Sequence, residues 1–80
     1  MRAIITVIGK DRVGIIAGVS SILAESNVNI LDITQTILQD VFTMIMLVDI
    51  SKCNIHFHDL SDKLEKKGVE LGLKIQIQHE

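Results

Sequence analysis

The stretch Val7-Ile8-Gly9-Lys10-Asp11-Arg12-Val13-Gly14-Ile15-Ile16 changes period part way along: an apolar strand pattern stops at one glycine and an apolar helix pattern starts after the next. It predicts a strand-to-helix turn with the N-terminus of a helix presented to solvent. Such an end carries unpaired backbone N–H groups and the positive pole of the helix. A carboxylate or another small anion can dock there without any catalytic side chain.

Upstream of this turn, Arg2 to Ile8 places Ala3, Ile5 and Val7 on one face and Ile4, Thr6 and Ile8 on the other. Both faces are largely apolar, which predicts a central strand. Downstream, Ile15, Ile16, Val19, Ile22 and Leu23 recur at helical spacing, with Ser20, Ser21 and Glu25 on the other side. An amphipathic helix of about three turns is expected. Gly18 within it costs about 1 kcal/mol against alanine, which predicts a close approach of this helix to the sheet. Ser26-Asn27 ends the helix, with Asn27 suited to a left-handed cap.

Val28 to Gln39 reads as a long strand whose alternation slips once around Leu31-Asp32, the mark of a bulge. Gln39-Asp40 is the polar break before Val41 to Ile50, so the two strands are expected to form a hairpin. In the second of them Phe42, Met44, Met46 and Val48 share one face, while Ile45 and Leu47 lie on the other. Beyond the polar loop Ser51 to Asn54, the helical period returns from Ile55, with Phe57, Leu60, Leu64, Gly68 and Leu71 in one stripe. Asn54 is the expected cap of this helix and Gly72 its stop. Leu73 to His79 then alternates Leu73, Ile75 and Ile77 with Lys74, Gln76 and Gln78, as an edge strand with one wet face does.

The order is strand, helix, strand, strand, helix, strand. Right-handed crossovers place the first and third strands in the centre of a four-stranded antiparallel sheet, order 4-1-3-2, with both helices on one face. This is an α+β, ferredoxin-like βαββαβ sandwich. No linker, useful repeat or low-complexity segment interrupts the chain, so one domain over residues 1–80 is expected.

Composition narrows the partners. At 80 residues, with 48% hydrophobic but only 2% aromatic residues, the core must be built from Ile, Leu, Val and Met. A net charge of −2 supplies no sequence-wide basic field, which argues against nucleic acid. One cysteine, Cys53, excludes an intramolecular disulfide and fits a reducing compartment, so a cytoplasmic location is expected. The apolar run from Met1 to Gly9 is too short to span a membrane and lacks a small-residue cleavage site.

Val7-Ile8-Gly9-Lys10-Asp11-Arg12-Val13-Gly14-Ile15-Ile16-Ala17 resembles the opening of an ACT domain, a strand followed by a Gly-x-Asp-[Arg/Lys]-x-Gly-[Ile/Leu] turn and the first helix. The resemblance continues through Asn27-Val28-Asn29-Ile30 and Phe42-Thr43-Met44 and covers nearly the whole chain. It is strongest toward small stand-alone ACT proteins and modules of the glycine-cleavage transcriptional repressor type. Many members carry Pro where this chain has Val13, so the helix start lacks a preset φ. The resemblance implies regulatory binding of a small molecule, usually an amino acid, at an interface between two ACT domains. The residues it implicates are Asp11, Arg12, Val13, Gly14 and Ile15 on the turn, and Asn29 on the facing strand. Physically, the N–H groups around Val13 to Ile15 suit an α-carboxylate, Gly14 lets it approach the backbone, and the Asn29 carboxamide suits an amino group. The plain structural alternative is that Asp11 caps its own helix and Gly14 only permits tight packing.

Other constellations carry less. Gly9 to Gly14 lacks the Gly-Lys-Ser/Thr ending of a phosphate-binding loop. His56 and His58, two apart on a helix, point away from each other, and no clustered set of four metal ligands exists. No metal, cofactor or catalytic residue is therefore expected. Phe42 and Phe57 are too few aromatics for a stacking RNA-binding sheet. Arg12 and Asn29 mimic an acylphosphatase pair loosely, without its glycine-rich anion cradle, so a hydrolase is the minor alternative. A ligand-free module that docks on an enzyme or transcription factor is the main alternative to the sensor. Finally, two helices cover one face of a sheet whose first and third strands are apolar on both. One set, either Phe42, Met44 and Met46 or Ile45 and Leu47, is left for a partner, and a homodimer is expected.

Overall fold

The computed structural model describes residues 1–80 and has the order β1 (Arg2–Lys10), α1 (Ile15–Glu25), β2 (Asn29–Leu38), β3 (Val41–Asp49), α2 (Phe57–Leu71), β4 (Leu73–His79). The four strands form one sheet in the order β2-β3-β1-β4, as expected, and every pairing is antiparallel. No helix is long and apolar enough to cross a membrane.

Which set of the third strand meets the helices is now fixed. Ala3, Ile5 and Val7 of β1, with Phe42, Met44, Met46 and Val48 of β3, are buried in a core that also takes Ile15, Val19, Ile22 and Leu23 from α1. Leu60 and Leu64 of α2 complete it on the same face of the sheet, beside α1. The alternate set faces away from both helices and is open: Ile8 and Ile45 are each 49% exposed. β2 stands at one edge, and every one of its residues is exposed. Its register against β3 shifts between Ile30 and Asp32, where the alternation of the sequence slips.

Turn chemistry accounts for the ends of the elements. Asn27 and Gln39 adopt positive φ, each 58°, at the end of α1 and in the β2–β3 hairpin. Gly72 does the same at φ 72° and closes α2, with its N–H bonded to the Val69 carbonyl at 3.3 Å. Two expectations are corrected. Asn54 does not cap α2: its Nδ2 donates to the Glu25 carbonyl at 2.9 Å, and its N–H to that of Ser26 at 3.0 Å, tying the loop to the end of α1. The cap is His56, two residues later, in extended conformation and without a side-chain bond. Asn54 is drawn away because the carbonyls at the end of α1 need donors. Gly18, in turn, faces α2 and not the sheet, since a Cβ there would lie 3.2 Å from Leu71 Cδ1 and 3.4 Å from Lys67 Cδ.

The close helix–sheet approach belongs to Gly68. A Cβ at that position would lie 2.7 Å from the Leu73 carbonyl oxygen and 3.2 Å from Ile75 Cγ1. Backbone yields far less readily than a side-chain tip, so α2 rests on β4 only because this residue has no side chain. Two variants separate the cases. Gly68→Ala should destabilise by about 1–3 kcal/mol through overpacking, despite the gain in helix propensity. Gly18→Ala meets only flexible side-chain ends and should stabilise by up to about 1 kcal/mol. Urea unfolding of both measures the contrast, and equal midpoints would refute it.

Candidate functional site

The turn is built by backbone. β1 extends through Lys10, and the Asp11 N–H donates to the Asp40 carbonyl at 2.8 Å, so the turn leans on the tip of the β2–β3 hairpin. Gly14 is the N-cap of α1 at φ 95°, a conformation that L side chains rarely adopt, and its carbonyl accepts from Gly18 N–H at 2.9 Å. No side chain caps the helix, and its first turn holds no acidic residue. Asp11 is therefore not a cap. The leading N–H groups of α1 and the positive end of its dipole are left for a ligand or water.

The remaining turn residues divide by role. Ile15 is buried in the core and anchors the helix start, whereas Val13 is 96% exposed. Arg12 reaches across to the end of α2, where Nη1 donates to the Leu71 carbonyl at 3.3 Å. A cation at a helix C-terminus offsets both the dipole and the orphan carbonyls there. Its structural partner is thus α2.

Asn29 lies elsewhere. In register it pairs with Asp49, which pairs with Arg2 at the start of β1, while the turn follows Lys10 at the far end. Eight residue steps at 3.4 Å each put about 27 Å between the two places. Five of the six implicated residues are therefore together, and the sixth is at the opposite end of the same sheet.

Asn29 borders two open depressions that include no residue of the turn. One, of about 440 Å³, is lined by Ala24, Asn27, Val28, Asp49, Ser51 and Lys52. The other, of about 480 Å³, runs between α1 and the start of β2. In the sequence Asp49 carries only a local turn signal, an Asp two residues before a Ser. Its Oδ1 accepts from Ser51 Oγ at 2.6 Å and Ser51 N–H at 2.9 Å, and lies 3.6 Å from the Met1 ammonium. These bonds, first the hydroxyl and then the amide, hold its pKa below the ordinary carboxylate value.

The other singled-out side chains have structural partners. His58 lies 3.4 Å from Asp62 on the outside of α2, and the His79 ring stacks on Phe57 with centroids 4.0 Å apart. Cys53 is half-buried and packs against the core. No group of three or more His, Cys, Asp or Glu is placed to hold a metal ion.

With fold and turn in view, comparison with known proteins is direct. The family model described as "ACT domain" matches residues 2–78, and the chain belongs to the ACT domain family. Within it, the chain is 62% identical over 80 residues to a UPF0237 protein of Clostridium acetobutylicum, covering 100% of this chain and 90% of that one. Among solved structures it is similar to an ACT domain protein from Streptococcus pneumoniae, with a TM-score of 0.85 and 49% identity over 98% of this chain and 88% of that one. It is also similar to the regulatory subunit of aspartate kinase from Thermus thermophilus, with a TM-score of 0.73 and 26% identity over 96% of this chain and 50% of that one. ACT domains are commonly regulatory, ligand-binding modules.

The Asp49 contacts carry a pH prediction. A carboxyl with a depressed folded pKa contributes stability above its unfolded pKa and loses it as pH falls through the folded value. Wild-type stability should therefore decline below about pH 4, and Asp49→Asn should flatten that decline. Thermal melts between pH 2 and pH 5 test this, and parallel curves for the two proteins would contradict it.

Proposed function

We propose that this protein is a non-catalytic sensor of a small amphoteric metabolite, with an amino acid as the best fit, held between two copies of the chain, and that it modulates amino-acid metabolism. The observation that carries the reading is the uncapped start of α1 at Gly14, where backbone N–H groups and helix dipole converge on a position that an α-carboxylate fits. The likeness to the regulatory subunit of aspartate kinase, an enzyme named for an amino acid, supports a regulatory role beside amino-acid chemistry.

Two copies are required because Asn29 is about 27 Å from the turn within one chain. The exposed edge strand β2 offers the means. Ten residues long, with Ile30, Leu31, Ile33, Ile37 and Leu38 all exposed, it carries neither proline nor lysine to blunt pairing. Antiparallel pairing of two such strands about a two-fold axis carries the Asn29 of a second copy to the end of β2. The turn leans on that same end through Asp40. In this reading Asp11, Arg12, Val13, Gly14 and Ile15 frame the carboxylate end of the site, and Asn29 of the second copy meets the ammonium group. The alternative is a ligand-free module that docks on a separate enzyme or transcription factor.

Calorimetric titration with each of the twenty amino acids tests the proposal. At least one should bind, and Val13→Asp, which puts a negative charge beside the helix start without altering Gly14, should abolish binding. Asn29→Ala should weaken it roughly tenfold or more, the value of about 1.5–3 kcal/mol for a hydrogen bond to a charged group. Silence of all twenty at millimolar concentration would favour the docking module, and a stoichiometric partner recovered from cell extract would identify it.

A further inference from the structure

The sheet has a second surface that the proposed site does not use. On the face away from the helices, Ile4 and Leu47 are half-buried, and Ile8, Val41 and Ile45 are between 41% and 49% exposed. They sit on the two central strands, and the register places Thr6 beside Ile45 at the centre. The charged residues of this face, Arg2, Lys10, Asp32, Asp49, Lys74 and Glu80, all lie at its margin. An apolar centre within a polar rim is the anatomy of a protein interface.

Its chemistry selects the occupant. Both phenylalanines belong to the opposite side, Phe42 in the core and Phe57 against it, so no ring is offered to a nucleic-acid base. The cations of the face are scattered and interspersed with acids, which does not suit an anionic bilayer. A second copy of the same sheet fits in shape, because it has the same twist and packs aligned with a near-constant gap of about 10 Å.

Area decides how many chains take part. Four strands about 4.8 Å apart and seven residues at about 3.4 Å give a footprint of roughly 450 Å². Counted over both partners that is about 900 Å², short of the roughly 1,000 Å² that a specific interface needs. Two sheets joined through β2 present about 900 Å², the standard size per side. We propose that the open face is an interface between copies of this chain and that it stacks two β2-joined pairs into a closed four-chain assembly. The arrangement rests on the β2 pairing of the proposed ligand site.

Closure fixes the stacking. A two-fold axis running across the strands generates a finite assembly with the β2 pairing, whereas one running along them through a single chain's sheet does not. The crossing axis sets Ile45 over Ile45 of the second copy, Ile4 over Ile8 and Leu47 over Thr43. Asp32 meets Thr36 and Lys74 meets Gln78, while Arg2 comes over Lys10 at the margin, with its own charge already paired to Glu80 at 2.6 Å.

Sedimentation velocity at micromolar concentration tests the assembly with three proteins. Wild type should sediment as four chains of 8.9 kDa each. Ile45→Lys, at a position already half open to solvent, should keep the wild-type circular dichroism and fall to two chains. Ile33→Lys with Ile37→Lys, on the β2 edge, should also fall to two chains. A wild type no larger than two chains, or an Ile45→Lys protein that keeps the four-chain mass, overturns the stacked interface. Amino-acid binding retained by Ile45→Lys in either case leaves the two-chain ligand site standing, so the two readings fail separately.

Discussion

Two helices cover only one face of a four-stranded sheet, and the rest of this structure follows from that limit. β1 and β3 are apolar on both faces, yet α1 and α2 both pack on the side of Ile5, Val7, Met44 and Met46. A core of aliphatic residues with almost no aromatics depends on close approach for its density. Gly68 supplies that approach against β4, where the nearest neighbour is a carbonyl oxygen. The outer side of the sheet and the edge strand β2 are left uncovered by either helix.

Much of the fold was legible because its signals are local or periodic. The shift from period two to helical spacing across Gly9 to Gly14, the slip at Leu31-Asp32 and the glycine stop at Gly72 each report one physical requirement at one place. Topology followed, since right-handed crossovers leave few ways to arrange the six elements. The misreadings arose where a residue answers to a distant partner. Asn54 looks like a cap, but the carbonyls at the end of α1 bind it. Gly18 reports closeness without naming the neighbour, which is α2.

The site was legible in one part only. The turn announces itself because Gly14 must take a positive φ and an apolar helix begins directly after it. That Arg12 is spent on the Leu71 carbonyl depends on where α2 ends, 59 residues along the chain. Nor does the pattern of the sequence show that Asn29 sits at the far end of the sheet, because that is a matter of strand register. Asp49 is legible in part: its bonds to Ser51 are local, whereas the Met1 ammonium comes near it only when the first and third strands pair.

The position of β1 also has a consequence in time. This strand is the first to be made, yet it lies in the middle of the sheet, between β3 and β4, with Ala3 paired to His79 near the far end of the chain. Only the β2–β3 hairpin joins neighbours in sequence, so most strand pairing must close long loops before it gains any stabilisation. Until the last strand arrives, one edge of β1 is an unpaired row of amides beside apolar side chains. The sheet thus closes only once β4 has been made, and a chain cut short before Leu73 leaves its central strand as an open edge.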